Sequence, residues 1–201
     1  MLLACLGGLV AGLSLIVAIG AQNAYVLRQG LRRSHVGAVV AVCTVSDLLL
    51  IAAGVSGIGL IVARADWALT AVRWFGVAFL LWYAAASLRR ARHAEALGTT
   101  DGAGDERRGS VLRRAVALTW LNPHVYLDTV LLLGSIAQDY HADRWWFALG
   151  AGLASILWFS VLGFGARLAA PLLALPRAWQ VLEVLIALTM VVIAIKLALH
   201  G

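Results

Sequence analysis

Six long apolar stretches, separated by short charged segments, constrain this chain more than any other feature. A transmembrane helix needs about 20 consecutive apolar residues. The chain is therefore predicted to have spans at Leu2–Leu27, Val36–Ala63, Trp67–Leu88, Ala115–Ala137, Trp145–Leu168 and Trp179–Leu199. The first stretch has no Lys or Arg before Arg28, so it lacks the basic start of a signal peptide and is predicted to be a retained span. The predicted fold class is all-α, a polytopic membrane helix bundle.

The composition excludes most other classes of protein. Of the 201 residues, 62% are hydrophobic and 13% are charged, whereas a soluble domain is about half apolar and about a quarter charged. A soluble enzyme and a disordered chain are both excluded on this ground. The net charge of +6 is distributed between the apolar stretches and does not cluster on a soluble face, so no nucleic-acid partner is predicted.

One long polar segment, Arg89–Arg114, divides the chain into two halves. We expect a first three-helix unit over residues 1–88, a loop over 89–114 and a second three-helix unit over 115–201. Most Lys and Arg residues follow the first, third and fifth stretches. The positive-inside rule therefore predicts that the central loop is cytoplasmic and that both termini lie outside.

The two halves share short spacings that indicate a repeat. Asn23 and Asn122 are each followed three positions later by Val, and Ser46 and Ser155 are each followed eight positions later by Gly. A repeat of three helices must be inverted in the membrane, and inverted repeats are typical of transporters, with the substrate site near the midplane. We therefore predict six transmembrane helices arranged as two inverted three-helix repeats.

Two acidic residues lie deep within predicted spans. Asp47 is about 16 Å into the second span at the helical rise per residue, and Asp128 has a similar depth in the fourth. Ionisable groups at this depth are costly and usually face a partner or a wet cavity. One interpretation is a pair of acids bonded to Asn, Ser or Arg for helix packing. The other is a site for a cation or for protons, because burial favours the neutral carboxyl group and a bound cation favours the ionised one.

Polar and helix-breaking residues accompany the acids. Gln22, Asn23 and Asn122 can donate and accept hydrogen bonds, either to a zwitterionic ligand or between helices. Pro123 removes a backbone donor, and Gly20 lies just before the first polar pair. We expect these last two residues to act as breaks or hinges.

The other charged residues in the spans have simpler interpretations. Arg73, beside Trp74, is predicted to anchor the third span at the interface or to pair with a membrane acid. Lys196 is expected to extend to the outer interface, and Glu183, near the inner end of the last span, is expected to be solvated. The histidines have no spacing typical of metal ligands, so no metal site is predicted.

Several motifs resemble those of the LysE-type basic amino acid exporters. The stretch Ile19–Gly30 (IGAQNAYVLRQG) is similar to the first-helix signature of that family, and Leu118–Asp128 (LTWLNPHVYLD) is similar to its fourth-helix motif. Further similarities are Val45-Ser46-Asp47, Arg73-Trp74 with Leu81-Trp82, and Ala194-Ile195-Lys196-Leu197. The resemblance extends through the whole chain. One departure is Ala21, where the family commonly has proline, so that flexibility here would depend on Gly20.

The resemblance implies export of L-lysine and L-arginine through the bacterial inner membrane, driven by membrane gradients and without a cofactor. On this hypothesis Asp47 and Asp128 bind the cationic side chain or exchange it for protons. Gln22, Asn23 and Asn122 would then hold the amino and carboxylate groups. The predicted partners are a basic amino acid and the lipid bilayer, and a homo-oligomer is left open.

Two alternatives remain on the sequence alone. The same fold could export neutral amino acids or metal cations, because intramembrane acids favour a cationic cargo without identifying it. An intramembrane aspartyl enzyme would also have two acids. Such enzymes resemble one another in a Gly-x-Gly-Asp motif, whereas Asp47 follows Val45-Ser46 and Asp128 follows Tyr126-Leu127. We therefore predict a transporter with no catalytic residues.

Overall fold

The computed structural model describes residues 1–17, 20–57, 66–92, 107–169 and 176–200. Within these ranges all regular secondary structure is helical, as the apolar stretches predict. The α-helices are α1 (Leu2–Ile16), α2 (Ala21–Arg32), α3 (Val36–Val55), α4 (Asp66–Arg92), α5 (Arg108–Trp120), α6 (Pro123–Tyr126), α7 (Gly134–Asp139), α8 (Arg144–Ala169) and α9 (Pro176–His200). A π-helical stretch, Leu127–Leu133, joins α6 to α7, and a 3-10 turn, His141–Asp143, precedes α8.

Two of the described helical segments are long and apolar enough to cross a membrane unaided. They are Val36–Val55 and His141–Leu168, and α1 with α2 forms a third if the bent pair is taken as one span. The remaining predicted spans are helical where they are described. Part of the second predicted span, residues 58–63, lies outside the described residues.

The first predicted span, Leu2–Leu27, is divided into two helices. α1 ends at Ile16, α2 begins at Ala21, and the two helices are bent by 82° relative to each other. Gly20, the residue before α2, is extended, with φ −105° and ψ −179°. Hydropathy alone treats the stretch as continuous because it does not record where the backbone leaves the helical conformation.

The fourth predicted span, Ala115–Ala137, is also interrupted. α5 ends at Trp120 and α6 begins with Pro123 as its first residue, whose nitrogen has no hydrogen to continue the helix. The helical structure also extends into the predicted loop 89–114, because α4 ends at Arg92 and α5 begins at Arg108.

α8 is the helix on which α1, α2 and α3 pack. Its contact with α1 is backbone to backbone, since a Cβ on Gly8 would overlap the carbonyl of Phe147 and a Cβ on Gly150 would overlap the carbonyl of Cys5. Further along the same helix, Gly30 of α2 meets the backbone of Gly163. Close approach of this kind maximises dispersion contacts, which are the main packing force inside a membrane.

α4 and α9 pack mainly on each other. The Arg73 guanidinium of α4 donates to the Ala198 carbonyl near the end of α9, and its Cζ lies 5.7 Å from the centroid of the Trp74 ring. Arg73 therefore ties this helix pair together. The side chain of Lys196, the other basic residue predicted to lie here, is outside the described residues.

The expectation that Glu183 is solvated is wrong. Its side chain is fully buried, and its Oε1 lies 3.6 Å from Nη1 of Arg28 on α2. A buried carboxylate needs such a partner because desolvation of an isolated charge is costly. The pair joins α9 to α2, and the position of Glu183 near a helix end could not reveal that another helix covers it.

Candidate functional site

The described polar residues converge where α2, α3, the π-helical stretch and α8 meet. Asp47, on α3, is only 2% exposed, and its Oδ2 accepts a hydrogen bond from Ser155 Oγ of α8 at 3.1 Å. Its other oxygen, Oδ1, has no hydrogen-bond partner among the described residues. A buried carboxylate oxygen without a donor is costly, so this atom is poised for a proton or an external donor.

Gln22 brings a second unused polar group to the same place. Its side chain is buried on α2 and lies beside Asp47 and Cys43 of α3. Its Nε2 nevertheless forms no hydrogen bond of normal geometry within the part of the chain that the structure describes. A donor amide and an acceptor carboxylate thus face one another across the α2–α3 contact with hydrogen-bonding capacity to spare.

Asp128 completes the acidic pair. It lies in the first turn of the π-helical stretch, half-buried, and close enough to Asp47 for the two charges to interact. The two acids, one from each half of the chain, therefore occupy one region. The wide turn of a π-helix is often found at functional sites, where it displaces a side chain from the regular helical position.

Asn23 spans the gap between α1 and α2. Its Nδ2 donates to the Ile16 carbonyl at the end of α1 at 2.6 Å, and its Oδ1 accepts from Trp158 Nε1 of α8 at 3.2 Å. This side chain both satisfies a carbonyl that the helix end leaves open and fixes α2 against α8. These two bonds support the interhelical interpretation of Asn23.

The second interruption has a similar arrangement near Ser46. Trp120, the last residue of α5, donates from Nε1 to Ser46 Oγ at 3.0 Å, and the Tyr126 hydroxyl donates back to the Trp120 carbonyl at 2.8 Å. Asn122 is buried between the two helices. The backbone of Pro123 begins α6, but its side chain is outside the described residues.

Several residues that contact this region were not identified as site residues from the sequence. Ser155 had only its spacing to Gly163 as a signal, and Trp158, one turn further along α8, had none. Both side chains point to the α2–α3 contact because residues three apart share a helix face. The ion pair between Arg28 and Glu183 could likewise be identified only from the packing of α9 on α2.

The described residues contain no group of three or more His, Cys, Asp or Glu side chains that could hold a metal ion. The two cysteines within these ranges, Cys5 and Cys43, are free thiols on different helices.

Comparison with known proteins identifies the relatives of the chain. The family described as LysE type translocator matches residues 13–201. The arginine exporter protein ArgO of an Enterobacter species is 42% identical over 96% of this chain and 92% of its own length, and that of Pectobacterium carotovorum is 39% identical over 98% and 97%. A Mycobacterium tuberculosis protein, which its name provisionally calls an amino-acid transporter, is 45% identical over 91% of this chain and 90% of its own length. No solved structure matches the chain.

Proposed function

The chain belongs to the LysE type translocator family, and we propose that it is a secondary active exporter of a basic amino acid, arginine or lysine, across the bacterial inner membrane. The arginine-exporter names of two relatives support this cargo. The apolar helices point to a multi-pass membrane protein. Membership of a translocator family points to a transporter and disfavours the alternative of an intramembrane aspartyl enzyme.

The acidic pair is the observation that carries the proposal. Asp47 is buried, and its Oδ1 has no hydrogen-bond partner among the described residues. Asp128 lies near enough to Asp47 for the two charges to interact. Two ionised carboxylates close together in an apolar medium repel, and a cation bound beside them relieves both the repulsion and the desolvation cost. A guanidinium or ammonium group of a basic amino acid supplies that cation.

The amide residues account for the remainder of the substrate. Gln22 has a free donor beside Asp47 and is the best placed to receive the substrate carboxylate. Asn23 and Asn122 lie buried at the two helix interruptions, where an unwound backbone also offers donors and acceptors. In this proposal they hold the amino and carboxylate groups while the acids hold the side chain.

We expect export to be coupled to protons because a buried, ionised carboxylate is energetically costly when no substrate is bound. Without cargo, an ionised Asp47 would be buried and incompletely bonded, so uptake of a proton is favoured after the substrate leaves. Alternation between cargo and proton would couple export to the proton gradient. Movement of a cationic substrate would in addition respond to the membrane potential.

The proposed architecture is a pair of inverted three-helix repeats, 1–88 and 115–201, joined by a cytoplasmic loop at 89–114, with both termini outside. Two close glycine contacts join the halves. Gly30 of the first half meets Gly163 of the second, and Gly134 of the second half meets Gly54 of the first. Gly20 and Pro123, each at a helix interruption, would serve as hinges when one half rocks against the other.

Counterflow in proteoliposomes tests the site assignment. Asp47→Asn and Asp128→Asn should each lower the exchange of labelled arginine at least about tenfold, because an amide cannot neutralise a buried cation. Asp139→Asn is the matched control, since Asp139 is exposed at the end of α7 and should leave exchange unchanged. Wild-type exchange in both acid variants, at equal protein in the vesicles, would refute the proposal.

The same vesicles distinguish the cargo. Arginine, lysine, canavanine and thialysine should compete with labelled arginine, whereas threonine and cadmium should not. Competition by threonine would indicate a neutral amino acid exporter, and competition by cadmium a metal exporter. An imposed pH gradient applied with and without a potassium diffusion potential then separates proton coupling from coupling to the potential.

A further inference from the structure

A cavity of about 400 Å³ opens at one end of the helix bundle, away from the acidic pair. It is lined by Gly30, Arg33, Val36, Gly163, Phe164 and Arg167. We call it the basic groove. Its volume falls within the range of small-molecule sites.

The basic groove lies at the edge of the membrane. Val36 is the first residue of α3, and Arg167 lies one residue before the end of the span His141–Leu168. Both helices qualify as membrane spans on length and hydropathy, so their ends lie near the boundary between hydrocarbon and water. A ligand in the groove would therefore contact both media.

The lining of the groove has two chemical characters. Arg33 and Arg167 are exposed, and neither guanidinium forms an ion pair or hydrogen bond within the described ranges. Beside them, Val36 and Phe164 provide an apolar wall, and Phe164 is 42% exposed on the outer face of α8. Guanidinium groups bind phosphate oxygens in a two-pronged geometry, and the adjoining wall suits an acyl chain.

The backbone at Arg33 is also unusual. Arg33 ends α2 with φ 53°, in the left-handed region where glycine normally stands. An L residue here costs about 1 kcal/mol or more relative to glycine. Glycine would therefore end this helix with less backbone strain than arginine does.

We propose that the basic groove binds an anionic phospholipid, with the phosphodiester between Arg33 and Arg167 and an acyl chain along Phe164. Basic pockets between helices at a membrane surface are typical binding sites for such headgroups. Arg33 belongs to the first half of the chain and Arg167 to the second, so the bound lipid bridges both halves.

Binding of defined lipids to the purified full-length protein in detergent tests this assignment. Phosphatidylglycerol should bind and raise the thermal midpoint, whereas phosphatidylcholine with the same acyl chains should not. The Arg33→Gln/Arg167→Gln double variant should bind phosphatidylglycerol roughly 25-fold more weakly, at about fivefold per arginine. Arg108→Gln/Arg113→Gln makes the same charge change at two exposed residues of α5 and should bind as the wild type does.

Arg33→Gly separates binding from folding. It should weaken lipid binding about fivefold while leaving the lipid-free protein as stable as the wild type or more so. Equal binding by the double variant and its control would overturn the proposal. Equal protection by inorganic phosphate would also overturn it, because the groove would then be an anion site with no lipid specificity. These measurements do not involve transport, so their failure is distinct from failure of the export hypothesis.

Discussion

The two helix interruptions, one between α1 and α2 and one between α5 and α6, lie beside the same acidic pair but are built differently. The first depends on an extended Gly20, and Asn23 closes it by bonding Ile16. The second depends on Pro123, and Tyr126 closes it by bonding the Trp120 carbonyl. One interruption thus results from conformational freedom and the other from a missing backbone donor.

The side chains that bond across the two interruptions, Asn23 and Tyr126, differ in whether they also contact another helix. Asn23 is buried and also bonds Trp158 of α8, so the first interruption is held by a contact between the two halves of the chain. Tyr126 is half-buried, and its bond stays within six residues of chain. The first interruption should therefore be sensitive to helix packing, whereas the second should be largely a local property of the sequence.

The largest expected effect concerns the glycines that dock the helices after each interruption. Gly30→Ala should destabilise the protein by about 3 kcal/mol, because its Cβ would overlap the Gly163 carbonyl. Gly134→Ala should cost less, about 1–2 kcal/mol, since its Cβ would lie 2.8 Å from the Gly54 oxygen. Unfolding in mixed micelles measures both. Gly165→Ala, where no atom lies within 4 Å, is the control and should be neutral or stabilising.

Loss of the Asn23 side chain should be the next largest effect. Asn23→Ala leaves the Ile16 carbonyl and the Trp158 indole without these partners, at a cost of about 2 kcal/mol in the same unfolding assay. Ser14→Ala removes an exposed bond within α1 and should have little effect. If the two variants proved equally stable, the first interruption would not be held by contact with α8.

Tyr126→Phe should have a smaller effect. It removes one hydrogen bond to the Trp120 carbonyl and should cost about 1 kcal/mol or less. Water or lipid headgroups can substitute for a half-exposed hydroxyl more readily than for a buried amide. A loss as large as that of Asn23→Ala would remove the distinction between the two interruptions.

The smallest effect is expected from making the first interruption resemble the second. Ala21 is the first residue of α2, the same position that Pro123 has in α6, and Gly20 before it is already extended. Proline is favoured at this position, so Ala21→Pro should stabilise the protein by about 0.5 kcal/mol through the unfolded state. Because Ala21 is fully buried, a large destabilisation would show that the ring does not fit and that the departure from the family pattern is compensated by packing.

The part of the fold that depends on local chemistry could be predicted from the sequence. Apolar length predicted the helices, and Pro123 marked the second interruption because its effect does not depend on neighbours. Gly20 was also expected to interrupt the first span, but a glycine is compatible with both a helix and a break, so the sequence did not determine that α1 ends at Ile16.

The environment of the candidate site was less predictable. The acids were evident because a charged residue inside an apolar stretch is conspicuous, whatever surrounds it. Ser155 as the donor to Asp47, and Arg28 as the partner of Glu183, depend on which helix faces lie together. Periodicity within one helix contains no information on that arrangement.

The length of α1 has a consequence for the choice of bilayer. Its 15 residues span about 22 Å, whereas the 20 residues of α3 span about 30 Å, the thickness of a typical hydrocarbon core. α3 is thus matched to such a membrane and α1 is too short for it. Hydrophobic mismatch therefore acts on the broken span and spares its neighbour. Acyl-chain length in reconstituted vesicles therefore shifts the mismatch between the two helices: a thinner bilayer relieves it at α1 and imposes it on α3, which carries Asp47.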